Sequence, residues 1–300
     1  MESNSMTALV SAFARSYHAE RVAGEKVFDD RIATLLLRPE EREGIARNMT
    51  GGISFFNPGF SGDAEEALAW VVNHQLAPSP LGRAAFAEGA LEEAVAHGAR
   101  QYLILGAGLD SFALRQPNWA AKLEIFEIDL PASSRDKAAR IAGAGLPMPE
   151  NLRLLSADLS MPGALNALRN HPRFRAEAPA FVSLLGFSYY LCREDFAALI
   201  AHLRSLLPTG SRVAMDYPTV GDSGQMDRQR QLAAGAGEGM RAAYAPDEMR
   251  EMLSACGLKT LRDLAPEEIT QAYFSAYNRA HPDRPIFAAE QVHYLLAEMA

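Results

Sequence analysis

Arg100-Gln-Tyr-Leu-Ile-Leu-Gly-Ala-Gly-Leu-Asp-Ser-Phe112 carries the pattern from which the fold can be read. Its first half is a short apolar run of the kind that forms a strand buried on both faces. That run enters Gly106-Ala107-Gly108, where two glycines at i and i+2 let the chain turn sharply and let backbone N–H groups approach a ligand with no Cβ in the way. The next apolar run, Leu123-Glu-Ile-Phe-Glu-Ile-Asp129, ends in a carboxylate about 20 residues beyond the turn, which suits a group accepting hydrogen bonds from ribose hydroxyls. Glu127 shares a strand face with Asp129 and is either a solvated end-of-strand charge or a ligand contact. Leu154-Leu-Ser-Ala-Asp158-Leu159-Ser160 repeats the strand-then-acid pattern. Asp158 there either accepts from an adenine amino group or caps the helix that follows.

Downstream of residue 99, short apolar runs over residues 101–105, 123–128, 152–156, 180–185, 212–217 and 258–264 alternate with helical stretches over 111–115, 133–142, 161–169, 193–207 and 246–255. This alternation predicts an α/β fold with a doubly wound, mostly parallel sheet. Upstream, residues 7–37 have helical spacing broken near Gly24, and helices are expected over 64–76 and 83–97, the second stopped by Gly98. Residues 48–60 are rich in turn formers and are expected to form an irregular loop. Its Phe55, Phe56 and Phe60 either cover an acceptor or plug the core. The expected organisation is an N-terminal helical cap over residues 1–98 and an α/β domain over 99–300, packed as one globular unit. Residues 142–151 and 220–239 are surface connections, the longer one suited to act as a lid, and residues 226–244 are expected to cover the acceptor.

The chain has 300 residues, 48% apolar and 22% charged, with 29 Lys and Arg against 37 Asp and Glu. The net charge of −8 argues against a broad phosphate-binding surface and hence against nucleic acid. Cys192 and Cys256 are too few and too far apart for a disulfide framework, and with an N-terminus lacking a basic start and apolar core they predict a cytoplasmic protein. No apolar stretch approaches the ~20 residues that span a bilayer. The histidines are scattered, so no metal is expected.

The segment Tyr102 to Arg115, then Phe-Glu-Ile-Asp-Leu-Pro131, then Ala-Asp-Leu159 resembles the S-adenosylmethionine sites of the leucine carboxyl methyltransferase family. That family includes many bacterial small-molecule O-methyltransferases, some associated with polyketide tailoring in secondary metabolism. The resemblance extends to Val-Phe-Asp-Asp-Arg31, Leu-Gly-Phe-Ser-Tyr-Tyr-Leu191 and the stretch from Asp263 to Phe274, so it covers most of the chain in consistent order. It implies a Rossmann-like methyltransferase fold, S-adenosyl-L-methionine as cofactor and a small-molecule methyl acceptor, with substrate-covering insertions. It further implies that Gly106, Ala107 and Gly108 lie against the methionine part of the cofactor, that Asp129 holds the ribose, and that Asp158 and Leu159 meet the adenine. Arg83, followed by Ala-Ala-Phe86, resembles the family's basic residue that pairs with the cofactor carboxylate. By itself it reads as a solvated helix charge, and Arg15 is a similar candidate. Asp110 either bonds the loop backbone or contacts the cofactor amino group. At Leu185-Gly186 many relatives have Glu-Gly, so a carboxylate that would meet that amino group is missing, although Gly186 remains a cofactor candidate. Some small-molecule members are similar to this chain in having Leu-Gly there.

Methyl transfer from a sulfonium draws most of its acceleration from holding two reactants in line. An acceptor carboxylate needs no base, whereas a phenol or alcohol benefits from one. Tyr189 and Tyr190 are the catalytic candidates, with Tyr217 near them at a strand end, each also readable as a packing aromatic. The expected activity is therefore methyl transfer to an oxygen of a small organic molecule. Two alternatives share the glycine turn and its acid. One is a nicotinamide-dependent oxidoreductase, disfavoured by Ser111 where close helix packing calls for Gly or Ala. The other is a non-catalytic relative, motivated by the missing Glu.

Overall fold

The computed structural model describes residues 5–221, 231 and 239–300. Strands β1 (Gln101–Leu105), β2 (Glu124–Asp129), β3 (Leu152–Ser156), β4 (Ala180–Leu184), β5 (Arg212–Pro218), β6 (Leu258–Leu264) and β7 (Val292–Met299) form one sheet in the order β3-β2-β1-β4-β5-β7-β6. The first five run parallel, and β7 lies antiparallel between β5 and β6. Six of these strands follow the apolar runs, whereas β7 was not anticipated. Its Val-His-Tyr-Leu-Leu-Ala-Glu-Met segment is buried almost throughout and pairs residue for residue with β5, from Arg212 opposite Glu298 to Pro218 opposite Val292. A strand covered on both faces lacks the alternation that marks a half-exposed one.

Side chains alternate across the sheet and feed two cores. Tyr102, Ile104, Phe181, Ala214 and Tyr294 belong to one, which the N-terminal helices cover. Leu103, Leu105, Val182, Met215 and Tyr217 belong to the other. The strand order reverses between β1 and β4, so a crevice opens at their carboxyl ends, where open α/β sheets take their ligands. Gly106 leaves β1 and Gly186 leaves β4 at that point.

The cap consists of α1 (Met6–Arg21), α2 (Ile32–Leu36), α3 (Pro39–Gly51), α4 (Ile53–Phe56), α5 (Ala64–Val71, continued as a π turn to Leu76) and α6 (Pro78–Ala96). Residues 48–56 are thus largely helical instead of an irregular loop. Pro39 opens α3 where its missing N–H costs nothing, and Glu41 accepts from the Arg38 N–H at 2.9 Å. Phe56 is buried in the core while Phe55 is exposed. α6 starts earlier than expected, because Pro78 and Pro80 occupy its first turn, where no intrahelical donor is required. Arg140 of α8 (Pro131–Gly143) ties cap to sheet. Its buried guanidinium donates to both Glu41 oxygens at 2.6 Å and to the Leu36 carbonyl at 2.8 Å.

The remaining crossovers are α7 (Phe112–Arg115), α9 (Asn166–Arg169), α10 (Arg193–Leu206) and α11 (Pro246–Ala255). The helix expected over 161–169 contracts to its last turn because Gly163 takes a positive φ of 77°, which an α-helix does not accommodate. Residues 222–230 and 232–238 lie outside the described residues, and with them most of the 220–239 connection and of the 226–244 segment. Among the described residues no helix is long and apolar enough to cross a membrane.

Candidate functional site

The turn after β1 has the conformation its glycines suggest. Gly106 and Gly108 take φ of 70° and 48°, in the left-handed region that L side chains avoid. A Cβ on Gly106 would lie 2.6 Å from the Phe187 ring, and one on Gly108 would lie 3.2 Å from the Ala8 Cβ of α1. The Gly108 N–H donates to Asp129 Oδ2 at 2.6 Å, and the Leu130 N–H donates to Asp129 Oδ1 at 2.7 Å. The half-buried carboxylate therefore sits on the turn, and each oxygen keeps capacity for a further donor. Asp110 Oδ1 accepts from the Phe112 N–H at 2.8 Å, and the Asp110 N–H reaches the Ala107 carbonyl at 2.8 Å. Asp110 thus bonds the loop backbone through one of its carboxylate oxygens.

Asp158 is brought beside Asp129 because β3 pairs with β2 and the Ala157 N–H donates to the Asp129 carbonyl at 2.8 Å. Its Oδ1 accepts from the Ser160 N–H at 3.0 Å and the Ser160 hydroxyl at 2.6 Å, a local turn cap, and Leu159 packs inward. Leu130 and Met161 stand 47% and 59% exposed next to these two acids. An apolar border beside two carboxylates fits a nucleoside, with a flat base against the aliphatic groups and sugar hydroxyls on the acid.

The second corner, at the ends of β4 and β5, centres on a residue that no motif included. Asp216 is fully buried. Its Oδ1 accepts from the Gly186 N–H at 2.5 Å, and its Oδ2 from the Tyr189 hydroxyl at 3.0 Å. Arg83 Nη1 lies 3.4 Å from the same Oδ2, and Arg83 Nη2 lies 3.4 Å from Ser11 Oγ. The Ser188 hydroxyl closes the corner onto the Asp216 carbonyl at 2.9 Å. Gly186 takes φ of 64°, and a Cβ there would collide with the Arg83 guanidinium. Phe187, next in the chain, packs on Gly106 and so joins this corner to the first. Burial, followed by the Asp216 charge, pushes the Tyr189 hydroxyl well above its ordinary pKa. Tyr190 is half-buried with its ring 6.3 Å from that of Tyr189. The signal for Asp216 was an acid inside the apolar run Val213-Ala-Met-Asp-Tyr217, where a buried charge needs partners.

Tyr217 points to the opposite sheet face. Its hydroxyl donates to Asp263 at 2.9 Å, with Arg250 and His293 on the same carboxylate, so it is separated from Asp216 by the pleat. Arg15 is buried and donates to Asp30 Oδ2 at 2.8 Å and to the Leu109 carbonyl at 2.7 Å. Asp30 also receives the Ser111 hydroxyl at 2.6 Å and lies 3.5 Å from Arg115, which pairs in turn with Glu88. Asp30 is thereby tied, through Arg15 to Leu109 and directly to Ser111, to the chain just past the glycine turn. Burial alone would raise the Asp30 pKa, but Arg15, Arg115 and Ser111 outweigh it and hold the carboxyl below its usual value. Glu127 is no solvated charge: it is buried and paired with buried Lys137. Burial raises its pKa to about 7 against the opposing pull of Lys137.

The model of the leucine carboxyl methyltransferase family matches residues 8–204, a span that includes Gly106, Gly108, Gly186 and the Arg15–Asp30 pair. YktD of Bacillus subtilis, named as an S-adenosyl-L-methionine-dependent methyltransferase, is 36% identical over 304 residues, covering 98% of this chain and 97% of its own. Rv3787c of Mycobacterium tuberculosis, named likewise, is 30% identical over 213 residues, covering 70% of this chain and 65% of its own. A DUF574 family protein from Streptomyces avermitilis shares the fold with a TM-score of 0.62 at 16% identity, covering 97% of each chain. A crystal structure of a Thermobifida fusca protein shares the fold with a TM-score of 0.57 at 17% identity, covering 99% of this chain and 95% of its own. Methyl transfer, not hydride transfer, is the chemistry that accompanies this glycine turn and its acid: the chain belongs to the leucine carboxyl methyltransferase family of S-adenosyl-L-methionine-dependent methyltransferases.

Proposed function

We propose that this methyltransferase acts on an oxygen of a small organic acceptor, in the crevice between the β1 and β4 ends. When bound, S-adenosyl-L-methionine supplies an electrophilic methyl on a sulfonium. The seating of the Asp129 carboxylate on the Gly108 N–H, beside exposed Leu130 and Met161, carries the donor half of this reading. Asp129 would hold the ribose hydroxyls, and Asp158 and Leu159 would border the adenine. Gly106, Ala107, Gly108 and Gly186 would line the methionine part, near Asp110. Arg83 would pair with its carboxylate.

The acceptor half rests on Tyr189 and Tyr190. Tyr189 donates its hydroxyl proton to buried Asp216, so it orients neighbouring groups and does not serve as a base. Tyr190 would touch the acceptor itself. An ionised carboxylate is the acceptor that needs no proton removed, which suits a corner whose nearest hydroxyl is held protonated. A hydroxyl acceptor remains within the class. The net charge of −8 supports a small molecule over a nucleic acid.

The test is incubation with isotopically labelled S-adenosyl-L-methionine and a panel of small carboxylic acids, phenols and alcohols. Label in an alkali-labile ester or in an ether supports the proposal, and the two products separate carboxylate from hydroxyl. Transfer to nitrogen, sulfur or a protein C-terminus alone would overturn it.

A further inference from the structure

Asp216 presents an unusual balance of charge and burial. It lies at the carboxyl end of β5, on the face shared with Ala214 that α6 covers, and it is wholly buried. Its oxygens are occupied by Gly186, Tyr189 and Arg83. A buried carboxylate is costly unless paired, and apolar residues of similar volume often fill such sites without loss of stability. Arg83 differs from its partner in being 17% exposed, and its guanidinium lies against Gly186 just beyond the carboxyl end of β4. A guanidinium carries five N–H donors. The contacts at 3.4 Å to Asp216 and Ser11 leave others for a carboxylate of the ligand, in the bidentate geometry that arginine favours.

We infer that Asp216 is a positioning residue for the amino-acid end of the methyl donor, holding Arg83 over Gly186 so that its remaining donors face the crevice. This rests on the donor-binding role proposed for Arg83. Leu185, before the β4 glycine, carries no charge, and the negative charge at that corner comes from the neighbouring strand and acts through the arginine. Asp216 is wholly buried beneath these donors, so it does not itself touch the ligand. Gly186 is required at the corner for the same reason, since any side chain there would displace the guanidinium.

Two ligands separate this role from a merely structural one: S-adenosylhomocysteine, which has the amino-acid end, and 5′-methylthioadenosine, which lacks it. Calorimetric titration of Asp216→Asn is expected to show about tenfold or greater weakening for S-adenosylhomocysteine, as for a lost charge-assisted hydrogen bond. Affinity for methylthioadenosine is expected to hold within about twofold. Arg83→Met should show the same selective loss, and the double variant should lose no more than Arg83→Met alone. The double variant removes both charges together, which buried pairs tolerate better than loss of one, so it answers the question even where Asp216→Asn does not fold. Equal weakening for both ligands, or unchanged affinity for S-adenosylhomocysteine in Asp216→Asn, overturns the inference. So does a double variant that binds S-adenosylhomocysteine more weakly than Arg83→Met, because Asp216 would then contact the donor directly. A wild-type protein that binds neither ligand overturns the donor-site reading itself, an outcome distinct from the others.

Discussion

The Gly108 N–H and the Asp129 carboxylate meet at 2.6 Å, so the turn after β1 and the end of β2 form one unit. The side chain proposed to hold the ribose also holds the loop proposed to face the methionine part. Its removal therefore acts on both halves of the donor.

Asp129→Ala should weaken S-adenosylhomocysteine binding by about 1–3 kcal/mol, the range for losing a hydrogen bond to a charged group and leaving its partners unsatisfied. Calorimetry reads this directly. Unchanged affinity would remove Asp129 from the ribose site.

Gly186→Ala places a Cβ against the Arg83 guanidinium on a backbone with φ of 64°. The strained backbone should cost of order 1–3 kcal/mol of stability, measurable as a lower urea midpoint. Donor binding should fall further than stability alone explains, because Arg83 must move. A variant with wild-type affinity would mean that the guanidinium lies clear of the donor.

Asp30→Ala leaves Arg15 and Arg115 facing an emptied site. Breaking one side of a buried charged cluster costs about 3–5 kcal/mol, and the Leu109 carbonyl loses the alignment that Arg15 gives it. A chemical denaturation curve tests the size of the loss. The Asp30 pKa is lowered in the folded state, so its stabilising contribution is present above the unfolded carboxyl pKa and is lost as pH falls through the folded one. The stability difference between wild type and Asp30→Asn should accordingly shrink on acidification below the ordinary aspartate value of 3.8.

Glu127 gives the opposite sign. With its carboxyl pushed up to about 7 from the ordinary glutamate value of 4.5, the folded protein binds more protons than the unfolded chain between those values, so stability falls as pH rises through that window. Glu127→Gln removes this term. Melting temperatures recorded across pH 4.5 to 7 should show the wild type losing ground to Glu127→Gln as pH increases. A constant difference would show that Glu127 does not titrate there.

Lys137→Met should destabilise more than Glu127→Gln/Lys137→Met, because the single change leaves an unpaired carboxylate in the interior. The gap between the two unfolding free energies measures that burial. Equal losses would mean that water reaches Glu127.

Much of this molecule was legible in one dimension because its signals are local. A buried strand, a glycine pair and an acid about 20 residues later are set by spacing along the chain, and β1, β2 and Asp129 stand where that spacing puts them. Six strand positions and most crossover helices follow for the same reason. The loop expected over residues 48–60 holds at 57–60, whereas 48–51 continue α3 and 53–56 form α4, because turn-forming composition says little about a segment that buries Phe56. Glu127 reads from spacing as a solvated charge or a ligand contact, and only the packing of α8 lays Lys137 against it.

The linear pattern by itself determined the α/β class, the glycine turn with its acid and the family, since each rests on contacts between neighbours in sequence or on residue spacing. The tertiary structure alone decided the reversed strand β7, the Asp30 charge cluster and the corner at Asp216. Arg83 and Asp216 are 133 positions apart, and Asp30 and Ser111 are 81 apart. Whether such charges pair depends on which helix covers which sheet face, a property of packing that no local periodicity encodes.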